Sequence, residues 1–243
     1  MEIFPAIDLR GGQVVRLTQG DYDKMDIYSA DPREIARQFK AQGAKNLHIV
    51  DLDGAKDGWL VNFDSIKSIA SEGGLFLQVG GGIRNEERIC QYLDLGVHRV
   101  ILGTVAVTDF PLLKRMVAKY REHIAVGVDA RDGFVAIQGW RKVTDIPALE
   151  FCERLAGIGV KTVIYTDISR DGALSGTNLE VYRSLSQMAL DIIASGGISY
   201  YEEILELKAL GIYGAIIGKA LYTGSLDLKK VIELANKPDE DVK

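Results

Sequence analysis

A closed (β/α)8 TIM barrel built from two repeated half-barrels is the fold that this sequence predicts, and three observations carry it. Eight short apolar runs, near-continuous as parallel strands covered on both faces are, each lead into a segment with helical spacing. Motifs at the ends of these runs recur about half a chain later. The length of 243 residues with 47% hydrophobic content suits one barrel domain. An open doubly wound sheet is the alternative arrangement of such units.

Taken in order, Ile3 to Ile7 reads as a buried strand ending at Asp8. A short extended excursion from Val14 to Leu17 and a long polar loop from Thr18 to Ser29 follow. Asp31-Pro32 is a cap followed by proline at the first helical position, with Ile35, Ala36 and Phe39 on one face and Gly43 as the stop. Leu47 to Val50 is the second strand. A helix around Asp64 to Ala70 precedes the strand Leu75 to Val79, and a helix from Glu86 to Leu95, capped by Asn85, precedes the strand Arg99 to Leu102. The helix Pro111 to Tyr120 leads to the strand Ile124 to Val128, which ends at Asp129, and Phe134 to Ile137 resembles the first excursion. Three further pairs follow: a helix from about Ile146 with strand Thr162 to Tyr165, a helix from Leu179 with strand Asp191 to Ala194, and a helix from Tyr201 with strand Tyr213 to Ile217. Ser199 and Glu202 have capping-box spacing, and a helix from Leu228 closes the chain.

The repeat pairs Asp8-Leu9-Arg10-Gly11-Gly12 with Asp129-Ala130-Arg131-Asp132-Gly133, and Val50-Asp51-Leu52 with Thr166-Asp167-Ile168. It also pairs Gly81-Gly82-Ile83 with Gly196-Gly197-Ile198, and Ile101-Leu102-Gly103 with Ile216-Ile217-Gly218. A single domain over 1–243 is expected, with half-barrels of about 1–121 and 122–236 and a charged tail, 237–243. Closure would set Asp8 across from Asp129 and the two glycine sites across from each other.

The net charge of −5 disfavours nucleic acid, whose phosphate backbone calls for a basic face. Cys90 and Cys152 have no C-x-x-C spacing and read as reduced core residues. The chain opens on a strand and holds no apolar run of membrane-spanning length, so a cytoplasmic protein with no membrane partner is expected, acting as a monomer. No metal-ligand cluster is visible, and Asp51, Asp53 and Asp57 read as loop and turn residues.

All candidate groups fall at the C-terminal ends of strands, the face on which barrel active sites are built. A lone aspartate there is commonly a turn former. Two at repeat-equivalent positions, Asp8 and Asp129, suit general acid–base work, although spacing does not say which is the acid. Glycine turns at Gly81-Gly82, Gly103-Thr104, Gly196-Gly197 and Gly218-Lys219 let a backbone approach anions closely, and their pairing predicts a ligand with two phosphates. His48 shares the inward parity of Val50 and Thr166. It reads as a core histidine with its hydrogen bonds met or as a supporting contact to substrate. Trp140, after Gly139 in the loop that follows the fifth strand, is either partly exposed core or a platform for a planar ring.

The runs Phe4-Pro5-Ala6-Ile7-Asp8-Leu9, Val79-Gly80-Gly81-Gly82-Ile83-Arg84, Gly139-Trp140, Thr166-Asp167-Ile168-Ser169-Arg170-Asp171-Gly172 and Ala194-Ser195-Gly196-Gly197-Ile198 resemble the phosphoribosylformimino-aminoimidazole carboxamide ribotide isomerases of histidine biosynthesis. The resemblance covers nearly the whole chain. It implies a cofactor-free Amadori rearrangement of an aminoaldose to an aminoketose on a small molecule with a phosphate at each end. By the same resemblance Asp8 accepts the C2 proton of the ribose, Asp129 donates to its ring oxygen and Thr166 assists. Gly172 joins the phosphate-binding glycines, Arg16 and Gly20 belong to a closing first loop, and Arg84, Trp140 and Arg141 bind substrate, the last two at the imidazole carboxamide. Gln138 stands where relatives of broader specificity carry arginine, which implies that phosphoribosylanthranilate is a poor substrate.

Two rivals stand beside this reading. The related cyclase subunit of imidazole glycerol phosphate synthase shares the repeat and both aspartates, but usually has Asp-Val-Lys where this chain has Asp8-Leu9-Arg10, and it lacks the Gly-Trp pair. A non-catalytic phosphate-binding barrel would serve regulation, and the intact aspartate pair argues against it.

Overall fold

The computed structural model describes residues 1–18, 21–58 and 61–238. Gly20, proposed for the closing loop, and residues 239–243 of the tail lie outside them, as does Trp59. The strands are β1 Glu2–Arg10, β2 Gln13–Thr18, β3 Asp21–Ser29, β4 Asn46–Asp51, β5 Phe76–Gly80 and β6 Arg99–Leu102, then β7 Ile124–Arg131, β8 Phe134–Ile137, β9 Lys142–Pro147, β10 Thr162–Asp167, β11 Asp191–Ser195 and β12 Gly214–Ile217.

Eight of these form a closed parallel ring in the order β1, β4, β5, β6, β7, β10, β11, β12, with β12 pairing back onto β1. The remaining four are two antiparallel excursions, β2–β3 on β1 and β8–β9 on β7, at matching places in the two halves. Phe4, Ala6, Ile101, Ala125, Ile164, Ile193 and Ile216 fill the ring from inside, while a larger apolar layer packs between ring and helices. The barrel interior is therefore a packed core rather than an open channel. Among the described residues no helix is long and apolar enough to cross a membrane.

Local chemistry sets the helix starts. Asp31 accepts from the N–H groups of Arg33 and Glu34 ahead of Pro32–Ala41, and Asn85 accepts from Arg88 N–H ahead of Glu86–Asp94. The capping carboxylate of the helix Tyr201–Ala209 differs from the expected one. Glu203, not Glu202, accepts from the N–H groups of Ser199 and Tyr200, while Ser199 Oγ donates to Gly197 O. The helix starts at Tyr201 as expected, but its cap is Tyr200 rather than Ser199, so the residue at the third position is Glu203.

The polar stretch read as a loop contains β3, and Lys142–Pro147 forms β9. Both strands lie on the barrel end with much of their surface in solvent, so neither carries the apolar alternation by which a strand is recognised. Three short helices at the ends of ring strands, Leu52–Asp57, Thr104–Thr108 and Lys219–Tyr222, also escaped the sequence pattern. Asp51 is accordingly a helix cap accepting from Gly54 N–H, and Asp53 and Asp57 lie in the helix.

Candidate active site

One cavity opens at the C-terminal ends of the ring strands, and both halves of the chain line it. Asp8 on β1 and Asp129 on β7 come from repeat-equivalent strands and face this common space. Asp8 Oδ2 receives Arg16 Nη1 at 2.7 Å. Burial raises the Asp8 pKa and the guanidinium opposes that rise. Asp129 is likewise raised by burial, against hydrogen bonds from Trp140 and Thr166 that favour its charged form. Thr166 is the register partner of Asp129 across β7 and β10, which explains their contact.

Arg16 stands on β2, a strand of the first excursion. Its Nη2 donates to Ala6 O at 2.6 Å, and its guanidinium lies 5.1 Å over the Tyr222 ring, whose hydroxyl donates to the same carbonyl. Gly218 matters here, because a Cβ at that position would stand 2.8 Å from the guanidinium.

The glycine turns form two ends of the cavity. Gly81 and Gly82 with Gly103 and Thr104 lie toward the first half, and Gly196 and Gly197 with Gly172, Gly218 and Lys219 toward the second. Four of them also serve the fold. Gly81, Gly82, Gly196 and Gly197 have φ of 106°, 72°, 92° and 81°, and a Cβ on Gly81 or Gly82 would collide with the carbonyl of Asp51 or Gly54. Gly103 differs, since a Cβ there meets nothing within 4 Å, so its surroundings leave open room at the cavity.

The repeat reappears in a pair of side-chain contacts that sequence reading missed, buried in the first half and half-buried in the second. Asn62 Nδ2 donates to Asp51 Oδ1 at 2.6 Å, and Asn178 Nδ2 donates to Asp167 Oδ2 at 3.0 Å. Each pair ties a ring-strand end to the loop beyond it. The eleven-residue spacing common to both pairs was the available signal.

Of the candidate residues that the structure describes, Asp8, Arg16, His48, Arg84, Asp129, Trp140 and Thr166 line the cavity together with all the phosphate-site candidates. Arg141 does not. It is exposed at the rim, near enough to Tyr22 for its charge to act on the phenol. Trp140 is held at φ 67° in the turn between β8 and β9, with its indole on Asp129 rather than standing free. His48 is 9% exposed, with Nδ1 met by Gln78.

Two titratable lining residues, Tyr22 and Asp171, went unassigned in the sequence. Tyr22 on β3 donates to Leu52 O at 2.9 Å and closes part of the rim. Asp171 has its pKa pushed up to about 6, chiefly by burial and then by the charge of Asp8. Its only sequence signal was its place in the Arg170-Asp171-Gly172 run.

A closed parallel barrel whose cavity at the C-terminal strand ends is lined by two buried carboxylates and a set of glycine turns is the architecture of a barrel enzyme. The chain belongs to the histidine biosynthesis protein family, whose model matches residues 2–227. It is 50% identical over 238 residues to a protein of Brachyspira hyodysenteriae, covering 98% of this chain and all of that one. It is also 50% identical over 236 residues to one of Synechocystis, covering 96% and 92%, and 51% identical over 231 residues to one of Campylobacter concisus, covering 94% and 97%. All three are named 1-(5-phosphoribosyl)-5-((5-phosphoribosylamino)methylideneamino) imidazole-4-carboxamide isomerase.

Proposed function

We propose that this chain is that isomerase: a cytoplasmic monomer that converts the bis-phosphorylated aminoaldose to its aminoketose by an Amadori rearrangement in histidine biosynthesis, using side chains alone as acid and base. The observation that carries the reading is the placement of Asp8 and Asp129 in one cavity between two glycine-lined ends. The phosphates seat at those ends, around Gly81, Gly82, Gly103 and Thr104 and around Gly172, Gly196, Gly197, Gly218 and Lys219. The ribose whose C1 and C2 react then lies between the carboxylates.

Protonation of the ribose ring oxygen opens the ring to an imine, and removal of the C2 proton gives an enolamine that becomes the ketone. Asp8 takes the C2 proton, with Arg16 holding its carboxylate oriented. Asp129 gives the ring-oxygen proton, with Thr166 and Trp140 setting its position. One observation favours a second donor. Asp171, at about 6, keeps a protonated fraction near neutral pH on the same cavity wall.

Purified chain should convert the aminoaldose alone, without ammonia or a glutaminase, and Asp8→Asn should lower turnover roughly 10²–10⁴-fold. The donors separate by comparing Asp129→Asn with Asp171→Asn, since the true donor's loss removes the basic limb of the pH profile. Binding without turnover in the wild type would favour the regulatory barrel. Turnover only with ammonia present, and to a different product, would favour the cyclase.

A further inference from the structure

Three polar side chains meet inside the ring in one register row. Pairing sets Ala6 beside His48, His48 beside Gln78 and Gln78 beside Arg99 across β1, β4, β5 and β6. Gln78 is fully buried, and Arg99 and His48 are 7% and 9% exposed. The row lies one inward-facing layer below Asp8, which stands two residues past Ala6 on β1. His48 reaches the cavity from this level, whereas Gln78 and Arg99 do not line it.

The chemistry of the row has one consistent polarity. Arg99 Nη1 lies 3.4 Å from Gln78 Oε1, and Gln78 Nε2 lies 3.1 Å from His48 Nδ1. A guanidinium only donates, so the amide must turn its oxygen to Arg99 and its NH₂ to His48. The imidazole nitrogen facing an NH₂ must accept, which leaves the ring proton on Nε2. Nε2 has no hydrogen bond to another described residue. Burial and the nearby Arg16 charge push the His48 pKa down to about 3, so the ring stays neutral.

We propose that Gln78 and Arg99 are positioning residues that lock His48 as its Nε2–H tautomer, so that the cavity floor presents one uncharged donor to an oxygen of the central ribose. The ligand half rests on the isomerase reading. A phosphate is the poorer match, because the glycine-lined ends take the anions and the floor lies under the carboxylate that works on the sugar. The tautomer half stands without any ligand.

The experiment is ¹⁵N spectroscopy of the full chain labelled at its three histidines, with the His48 signals identified by their loss in His48→Gln. The expected wild-type pattern is a protonated Nε2 and an unprotonated Nδ1, unchanged between pH 6 and pH 8. Gln78→Glu keeps a partner for Arg99 but presents an acceptor to the ring, so Nδ1 should become protonated. Arg99→Lys still only donates and should keep the wild-type pattern, which makes it the control should the glutamate variant fold poorly. A protonated Nδ1 in the wild type overturns the lock, as does a Gln78→Glu pattern identical to wild type or an inverted pattern in Arg99→Lys. In kinetics, His48→Phe should lower kcat/KM roughly 3–10-fold, and His48→Gln, whose amide takes the same polarity and still donates, should lower it less. Equal losses in the two variants overturn the ligand half. A wild type with no turnover at all would instead sink the isomerase reading and leave the tautomer result intact.

Discussion

Arg16 Nη1 lies 2.7 Å from Asp8 Oδ2 in the cavity wall, with the two side chains only 10% and 15% exposed. Burial raises the Asp8 pKa and Arg16 opposes that rise, so the arginine favours the ionised form that the proposed base needs. Arg16→Gln leaves burial unopposed, and the Asp8 pKa climbs further. A base is lost where it becomes protonated, so the acidic limb of kcat/KM against pH should move to higher pH. Activity should then suffer more at pH 6 than at pH 8. A limb that stays put in the pH–rate profile would remove Arg16 from this role.

Asp171 ties stability to pH in a definite direction. Its folded pKa of about 6 lies above the ordinary carboxyl value of 3.8. A group raised in this way contributes stability that is fully present below the lower value and is lost as pH rises through the upper one. Asp171→Asn carries no charge to bury. The variant should therefore be more stable than the wild type at pH 7.5, by on the order of 1–2 kcal/mol because the residue keeps some solvent contact, and the gain should shrink to nothing below about pH 4. Urea unfolding at the two pH values measures this, and a variant less stable at pH 7.5 would contradict it.

The glycine turns should divide into structural and open positions. Gly82→Ala forces a left-handed residue against the Gly54 carbonyl and should cost ~2 kcal/mol or more. Gly103→Ala meets nothing within 4 Å and should leave Tm within a few degrees of the wild type while raising KM, because the methyl enters space assigned to a phosphate. Valine at Gly82 or Gly197 is therefore a poor test of anion binding, since the fold would fail first. Sulfate density at both cavity ends of a crystal is the direct check. Occupancy of one end only, with substrate bound, would refute the two-phosphate arrangement.

Trp140 holds Asp129 through its indole, a role separable from stacking. Trp140→Phe keeps an aromatic face and removes the donor, so it should lower kcat more than it raises KM. Trp140→Ala removes both and should raise KM as well. Identical kinetics for the two variants would leave only one of the two roles. Efficient turnover of phosphoribosylanthranilate would independently overturn the strict specificity suggested by Gln138.

The parts of the fold that were legible share a physical cause. Ring strands such as Val126 and Ile193 are buried on both sides, so their composition must be apolar regardless of register, and Asp31 and Asn85 cap through bonds only two or three residues long. β3 and β9 were not legible, because a strand lying on the barrel end is held by its backbone ladder and can carry Lys24, Asp26 or Lys142 on its open side. Arg141 beside Trp140 looked like a site residue because adjacency in sequence says nothing of direction: one lines the cavity and its neighbour points to the rim.

By itself the sequence determined the eight-fold alternation, the half-chain repeat, the pair Asp8 and Asp129 and the glycine turns. These depend on local periodicity and on residue types that a strand end demands. Only the tertiary structure decided that Arg16 meets Asp8, that Asn62 and Asn178 brace Asp51 and Asp167, that Asp171 joins the carboxylates and that Gln78 connects Arg99 to His48. Those contacts follow from ring closure and strand stagger, which set register between segments far apart in the chain, and the energy of a buried polar group depends on the partner that register brings to it.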